Sequence, residues 1–408
     1  MPRFAAVRRR AALLVTLIAV GTVGAVGAGC GGGDGEPTGP KALPAATVSR
    51  LQDALDTTRT RMGFPGVIAG VWTRDGSWTG VSGTAGPDGG GPPDPQAATR
   101  IGSVTKTFTV TLLLQFAADD RLSLDDPIGD WFPGIPNPTA RLHDLAAMRS
   151  GIPDYAADPT FQREMLTKPT RTFTADELIA FARLRPADFA PGTQFAWSNT
   201  NTVLLARVLS EVAGKPFGAL LEERILRPLG LDHTSYPGAS ADLPAPRWRG
   251  VTDQGRPSWQ ATDATEWNPS WAAEAGAMIS TLDDLRTWTV ALATGEGVLD
   301  AEAQAARLDS LAEVRSAPRM SYGLGLRSLS GWLGHTGEFP GYGAEIGYDP
   351  ETGTTVVVLT NSDVAGPRTN PAPAVFRAIT EVLDRPTPDP ARVPFPDVGD
   401  RTDTEPQT

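Results

Sequence analysis

The chain has 408 residues, among them 44 glycines, 37 prolines, one cysteine and three histidines, and a formal net charge of −11. A body of this length buries enough surface to stand without a metal or disulfide staple. The single cysteine excludes a disulfide framework and any Cys-based zinc site. The acidic balance excludes nucleic acid and anionic membrane surfaces as general electrostatic partners. His143, His233 and His335 match no metal-ligand spacing, so no metal and no other cofactor is implied.

In chain order, Arg3, Arg8, Arg9 and Arg10 precede the apolar stretch Ala11–Val20, and small residues follow up to Cys30. This is the layout of a secretory leader over residues 1–29, with the sole cysteine where cleavage would fall. A membrane-spanning reading of Ala11–Gly29 is weakened by its Gly-rich second half. Val26-Gly-Ala-Gly-Cys30 resembles a bacterial lipobox, with Gly27 where Leu or Val is usual, so Cys30 is the expected lipidation site. Arg8–Arg10 leaves the twin-arginine route open beside the general one. Residues 30–45 read as a flexible tether and 385–408 as a disordered tail, both rich in Gly, Pro or Asp and poor in apolar period.

Between them, Val48, Leu51 and Leu55 predict an amphipathic first helix. Val67–Thr73 and Trp78–Thr84 flank Arg74-Asp-Gly-Ser77 and predict a hairpin. Helical patterns follow at 103–118, 174–184, 200–213 (closed by Gly214), 216–226 and 281–292. Strand patterns return at 321–329, 331–336, 342–348 and 354–360, before a closing helix at 371–384. Strands at both ends with helices between them predict an α/β fold of the α+β type. One antiparallel sheet would be assembled from both termini and flanked by helices, beside a mainly helical lobe, with the active site between the two. The sheet lobe would take about 46–100 and 311–384, the helical lobe about 101–310.

Three features carry chemistry. Ser103-Val-Thr-Lys106 opens the most apolar helix, and residues three apart share a helix face about 5–6 Å apart. A serine is a weak nucleophile until a base takes its proton, and lysine serves when burial lowers its pKa, whereas arginine stays charged. The chain has four lysines, and Lys106 alone stands three residues after a serine. An N-cap serine followed by a solvated lysine explains the same letters, and on this motif alone the two readings stand level. Trp197-Ser-Asn199 lies at the mouth of a helix, where Ser198 or Asn199 could be a cap and Trp197 a core plug. His335-Thr-Gly337 lies on a predicted strand, where a glycine often marks close backbone approach and a lone histidine is more often structural. No G-x-S-x-G occurs, and the one G-x-G-x-x-G straddles the cleavage site with no strand before it.

Together and in this order the three features resemble the serine β-lactamase and penicillin-binding-protein superfamily. The resemblance is to its class C-like branch of β-lactamases, DD-peptidases and related esterases. It runs through RIGSVTK (100–106), LHDLAAMRSGIPDY (142–155), PGTQFAWSNTNTVLLARVLSEVAGKPF (191–217), RPLGLDHTSYP (227–237), AAEAGAMISTLDDL (272–285) and YGLGL to GHTGEFPGYGAEIGYDP (322–350), covering about residues 46–384. It implies a β-lactamase/transpeptidase-like fold with Ser103 as nucleophile, Lys106 as its proton acceptor and Asn199 bonding both Lys106 and the substrate amide. It further implies an oxyanion hole from the backbone N–H groups of Ser103 and Glu338. His335, Thr336 and Gly337 form the substrate-binding strand, with Thr336 toward the substrate carboxylate. The chain departs from the family at Trp197, where the branch has a proton-transferring tyrosine; indole has no oxygen to accept a proton. Tyr342 is the tyrosine nearest in sequence to the third motif.

The expected function is an exported, lipid-anchored serine hydrolase acting through an acyl-enzyme on D-Ala-D-Ala peptides, β-lactams or related amides and esters. Its partners would be a small-molecule or peptidoglycan-peptide substrate, with no nucleic acid and no membrane contact beyond the lipid. Its place would be outside the cytoplasmic membrane. A short-chain esterase of the same fold, and a cell-envelope binding lipoprotein that lost turnover, stay open as alternatives.

Overall fold

A computed structural model describes residues 41–86, 89–254, 261–363 and 370–387. The predicted leader, Cys30 and most of the tether and tail lie outside these residues. The strands are β1 (Gly66–Trp72), β2 (Ser77–Gly83), β3 (Thr99–Arg100), β4 (Val251–Thr252), β5 (Thr262–Asp263), β6 (Ile279–Ser280), β7 (Ala312–Glu313), β8 (Met320–Tyr322), β9 (Arg327–Leu329), β10 (Trp332–Phe339), β11 (Tyr342–Asp349) and β12 (Thr354–Thr360). Among the described residues eight of them form one sheet, in the order β2-β1-β12-β11-β10-β9-β8-β7. Every neighbouring pair in it is antiparallel.

The sheet closes where the two ends of the chain meet. β1 lies against β12 from Val67 opposite Thr360 to Trp72 opposite Thr355. Both strands are buried along their whole length, which is why they read as unbroken apolar or Thr/Val runs. β2, on the edge, alternates buried and accessible positions, the signature of a strand with one wet face. One face packs Val67, Val71, Val356 and Val358 against Leu51 and Leu55 of α1 (Ala45–Met62) and Phe376 and Ile379 of the closing helix Pro371–Val382. The other face adds Ile68, Ile346 and Leu359 to the core of the helical lobe, with Phe108 and Leu112 of α2 (Thr105–Ala118) and Trp288. Burying apolar area on both faces at about 25 cal/mol per Å² makes the sheet a rigid base for the residues on its strands.

Four boundaries differ from the sequence reading. The strand expected over 321–329 is two strands joined by a turn, in which Gly325 has φ +63° and donates its N–H to Ala146 O at 3.2 Å. A side chain at Gly325 would meet Val110 at 2.6 Å, so α2 and this turn require a glycine where they touch. The helix expected over 216–226 widens into a π-turn at Glu222–Leu226 before ending at Leu229. Pro228 has no N–H for the carbonyl of Arg224, which takes Gln115 Nε2 at 3.2 Å instead. The tether is tied down before residue 45, since Leu43 N donates to Ser77 O at 3.1 Å and Ser77 N to Lys41 O at 2.8 Å. The ordered body also runs past 384: Trp332 Nε1 donates to Arg385 O at 3.1 Å, and the Arg385 guanidinium bonds Asp349 at 3.0 Å.

Candidate active site

Ser103 lies in a 3₁₀ turn, Gly102–Val104, that leads into α2. Val104, not Ser103, holds the cap position, and no side chain caps the helix, so the capping explanation of this serine fails. The turn runs against β10 at two glycines. A Cβ on Gly102, whose φ is +50°, would stand 2.3 Å from Glu338 N, and one on Gly337 would stand 2.0 Å from Ile101 O and 3.3 Å from Ser103 N. Only glycine at both positions lets the two backbones approach this closely, which brings the Glu338 backbone beside the Ser103 turn.

Lys106 is buried one turn along α2. Its Nζ is 2.8 Å from Ser103 Oγ, 2.7 Å from Asn199 Oδ1 and 2.8 Å from Ala275 O. Burial lowers its pKa from the ordinary lysine value to about 7, with the Asp154 carboxylate pushing the other way. Near neutral pH the amine is therefore populated, and the bond to Ser103 can reverse so that the hydroxyl donates to nitrogen. An exposed lysine, with a pKa near 10.4, would offer little free base there.

Asn199 begins the helix Asn199–Ala213, with Ser198 at the cap position and no side-chain cap bond. Its amide bridges two charged groups: Oδ1 accepts from Lys106, and Nδ2 donates to Asp154 Oδ2 at 3.0 Å. The Asn199 backbone N–H donates to Asp154 Oδ1 at 3.1 Å. Sequence reasoning missed Asp154; its only signal was its place in the run SGIPDY, which supported the family resemblance without assigning it a role.

Trp197 is half-buried and packs against the buried cluster that includes Met148, Met320, Tyr322 and Leu329. Its ring lies edge-on to Tyr322 at 4.8 Å, Phe195 at 5.4 Å and His335 at 5.7 Å between centroids. His335 is fully buried, with Nδ1 2.6 Å from Thr336 O and Nε2 3.1 Å from Tyr322 OH. A carbonyl only accepts, so Nδ1 carries the hydrogen and Nε2 accepts from the tyrosine. Burial lowers the His335 pKa to about 3 and raises that of Tyr322, so both stay neutral. The Thr336 hydroxyl donates to Ala344 O at 3.3 Å, across the sheet. The His335 side chain is thus engaged inside the fold, by the carbonyl of the next residue and by Tyr322 of β8, while Thr336 bonds across to the neighbouring strand β11. Tyr342, nearest to this motif in sequence, is turned away to Trp248 O and Gly250 N. Tyr322 is the tyrosine that reaches it.

The structure therefore brings Ser103, Lys106, Asn199, Gly337 and the Glu338 backbone together, with Trp197 beside them. Among the described residues no cluster of His, Cys, Asp and Glu could hold a metal ion.

Comparison with known proteins shows the family. A D-stereospecific amidohydrolase from Streptomyces sp. is 32% identical with a TM-score of 0.72, over 78% of this chain and 95% of that one. The D-amino acid amidase of Ochrobactrum anthropi SV3 is 27% identical with a TM-score of 0.73, over 84% of this chain and 98% of that one. The D-alanyl-D-alanine-carboxypeptidase/endopeptidase AmpH of Escherichia coli (strain K12) is 33% identical over 150 residues, which are 35% of this chain and 38% of that protein. The Beta-lactamase family model matches residues 51–379. The chain belongs to that family and is a serine hydrolase of the β-lactamase/DD-peptidase type.

Proposed function

We propose that the protein hydrolyses amides or peptides of D-amino acids, D-Ala-D-Ala peptides among them, through an acyl-enzyme on Ser103. The observation that carries this reading is the buried Lys106 Nζ bonded at once to Ser103 Oγ and Asn199 Oδ1. The D-amino acid chemistry rests on the relatives, whose names specify D-stereospecific amide and D-alanyl peptide hydrolysis.

In this mechanism the neutral Lys106 amine takes the Ser103 hydroxyl proton as Oγ attacks the substrate carbonyl. The backbone N–H groups of Ser103 and Glu338 receive the oxyanion. Collapse breaks the C–N bond, and the leaving amine takes the proton back from Lys106. Water then attacks the ester, its proton passing to Lys106, and the acid departs as Ser103 regains its hydrogen. The branch places a tyrosine oxygen where Trp197 stands, and deacylation without that oxygen is the slower half. Export by the leader and a lipid on Cys30 complete the reading, supported by the basic residues before the apolar stretch and by the lipobox-like Val26–Cys30.

Labelling by a fluorescent penicillin or a fluorophosphonate, compared with Ser103→Ala, tests the nucleophile: label retained in the variant overturns it. Matched D- and L-phenylalanine amides test the substrate, and equal rates on both would remove the stereochemical claim. Partition into detergent, lost in Cys30→Ala, tests the anchor. Soluble mature protein starting elsewhere than residue 30 would end that claim.

A further inference from the structure

Asp154 is a carboxylate buried beside the catalytic elements with no role in the reaction steps above. It caps the 3₁₀ turn Tyr155–Ala157 by accepting from Ala156 N at 3.1 Å. It also accepts from the Asn199 backbone N–H at 3.1 Å and from Asn199 Nδ2 at 3.0 Å. A cap needs only the first of these bonds. The other two grip the residue whose Oδ1 lies 2.7 Å from Lys106 Nζ.

An amide is nearly symmetric in shape and opposite in hydrogen bonding at its two ends. Turned by half a rotation, Asn199 would set its oxygen against the Asp154 oxygens and its N–H groups against those of Lys106. An ionised carboxylate only accepts, so it selects one orientation. We propose that Asp154 is a positioning residue: it locks the Asn199 amide with its oxygen toward Lys106, and its negative charge, relayed across that amide, sets the pH at which Lys106 becomes the free base. This inference rests on the Ser103–Lys106 reading and adds to it the group that orients and tunes the lysine.

The surroundings of Lys106 leave Asp154 as the charged group that matters. From α2 it faces Ser103, from the Asn199 helix the Asn199 amide, and from the segment Ala273–Gly276 the Ala275 carbonyl. His335, from β10, is neutral because it is buried. Tyr155, next to Asp154, has its pKa pushed well above the ordinary value by burial and stays neutral too. Burial pushes the Asp154 carboxyl up, and its N–H donors and the Lys106 charge offset only part of that rise, while all of its hydrogen bonds are accepted ones, as an anion requires. An anion in this position favours the ammonium, so removing it lowers the lysine pKa.

The test reads Lys106 directly. The chain has four lysines, so protein labelled with 13C at lysine Cε gives four resonances, assigned by Lys106→Met. In wild type Lys106 should titrate near 7. In Asp154→Asn it should titrate about one unit lower, and Ser103 acylation by a chromogenic ester should fall about tenfold on its high-pH plateau, the size of one charge-assisted hydrogen bond. Asp154→Glu keeps the charge and displaces the oxygens, so it should retain the titration and still lose rate. An Asp154→Asn protein that melts like wild type, with an unmoved Lys106 titration, overturns the proposal even if its rate falls. Should Asp154→Asn fail to fold, Asp154→Ser, which removes the charge and keeps an acceptor for the turn, decides by the same downward shift, and if neither folds the carboxylate is a core requirement and the proposal is lost. A wild type that is never acylated at Ser103 would instead overturn the reading beneath it, and the titration keeps the two failures apart.

Discussion

Two buried cations in this protein face buried carboxylates in different ways. Arg327 of β9 pairs directly with Glu345 of β11, both side chains almost wholly inaccessible. Lys106 meets Asp154 only through the Asn199 amide. A guanidinium keeps its proton in a protein, so Arg327 binds Glu345 directly from β9 across β10 to β11, while burial pushes the Glu345 carboxyl up and the Arg327 charge holds it back. An ammonium separated from its anion by an amide keeps only part of the attraction, and burial then takes its pKa to about 7. Direct contact keeps the cation paired, whereas burial behind one intervening amide leaves the amine accessible near neutral pH. A cation meant to move a proton has to be denied its counter-ion.

The largest effect comes from making the lysine permanently charged. Lys106→Arg keeps the cation and loses the base, so acylation should fall by about 10²–10⁴-fold, nearly as far as with Lys106→Ala. Single-turnover labelling measures it, and near wild-type acylation in the arginine variant would take the base role from Lys106. Next comes the fastener. Glu345→Gln leaves the Arg327 charge buried without its carboxylate and should cost roughly 3–5 kcal/mol of stability, while Arg327→Met combined with Glu345→Leu should cost much less. Urea denaturation checks this, and equal losses in both variants would show that packing around the pair, not its charge, is what matters.

pH separates the two sites further. Acylation needs the free amine, so its rate should rise about tenfold per unit up to about pH 7 and level off above it. The folded pKa of Lys106 lies below its unfolded value of 10.5, so from about 7 to 10.5 the unfolded chain binds more protons and stability rises with pH. The slope is at most about 1.4 kcal/mol per pH unit, and Lys106→Met should remove that share. Denaturation midpoints at three pH values in that window suffice, and a slope unchanged in the methionine variant would mean that Lys106 is charged when folded. The smallest effect concerns Trp197. Trp197→Tyr restores a phenol oxygen at the position where the branch carries its tyrosine and should raise steady-state hydrolysis of a β-lactam or ester by about tenfold while leaving the acylation burst nearly unchanged. Pre-steady-state traces for the two proteins decide it; fast multiple turnover by wild type would mean that deacylation does not need the tyrosine oxygen.

Much of this was legible in the letters because it is local. A serine and a lysine three residues apart meet on any helix, whatever the remainder of the chain does. The unbroken apolar runs of β1 and β12 and the alternation of β2 report burial on two faces or one. Gly337 announced a close approach that the Ser103 turn then supplied. Sequence distance misled where the chain folds back: Tyr342 lies nearer the third motif in the chain, yet the β8–β9 hairpin carries Tyr322 to His335. Asp154 carried no signal of its role, because an aspartate two residues before an alanine reads as one more turn cap.

The sequence by itself determined that a serine, a lysine, an asparagine and a glycine strand were present in the order of a known family, since spacing along a helix or strand follows from backbone geometry alone. Only the tertiary structure decided that Lys106 is buried with its pKa lowered to about 7, that Asp154 bonds the far side of the Asn199 amide, and that a buried, neutral His335 packs against Trp197. A side chain's charge depends on how completely other elements exclude water from it and which dipoles they leave in its place, and the groups that Lys106 meets from other elements, Asn199 and Ala275, lie 93 and 169 positions away along the chain.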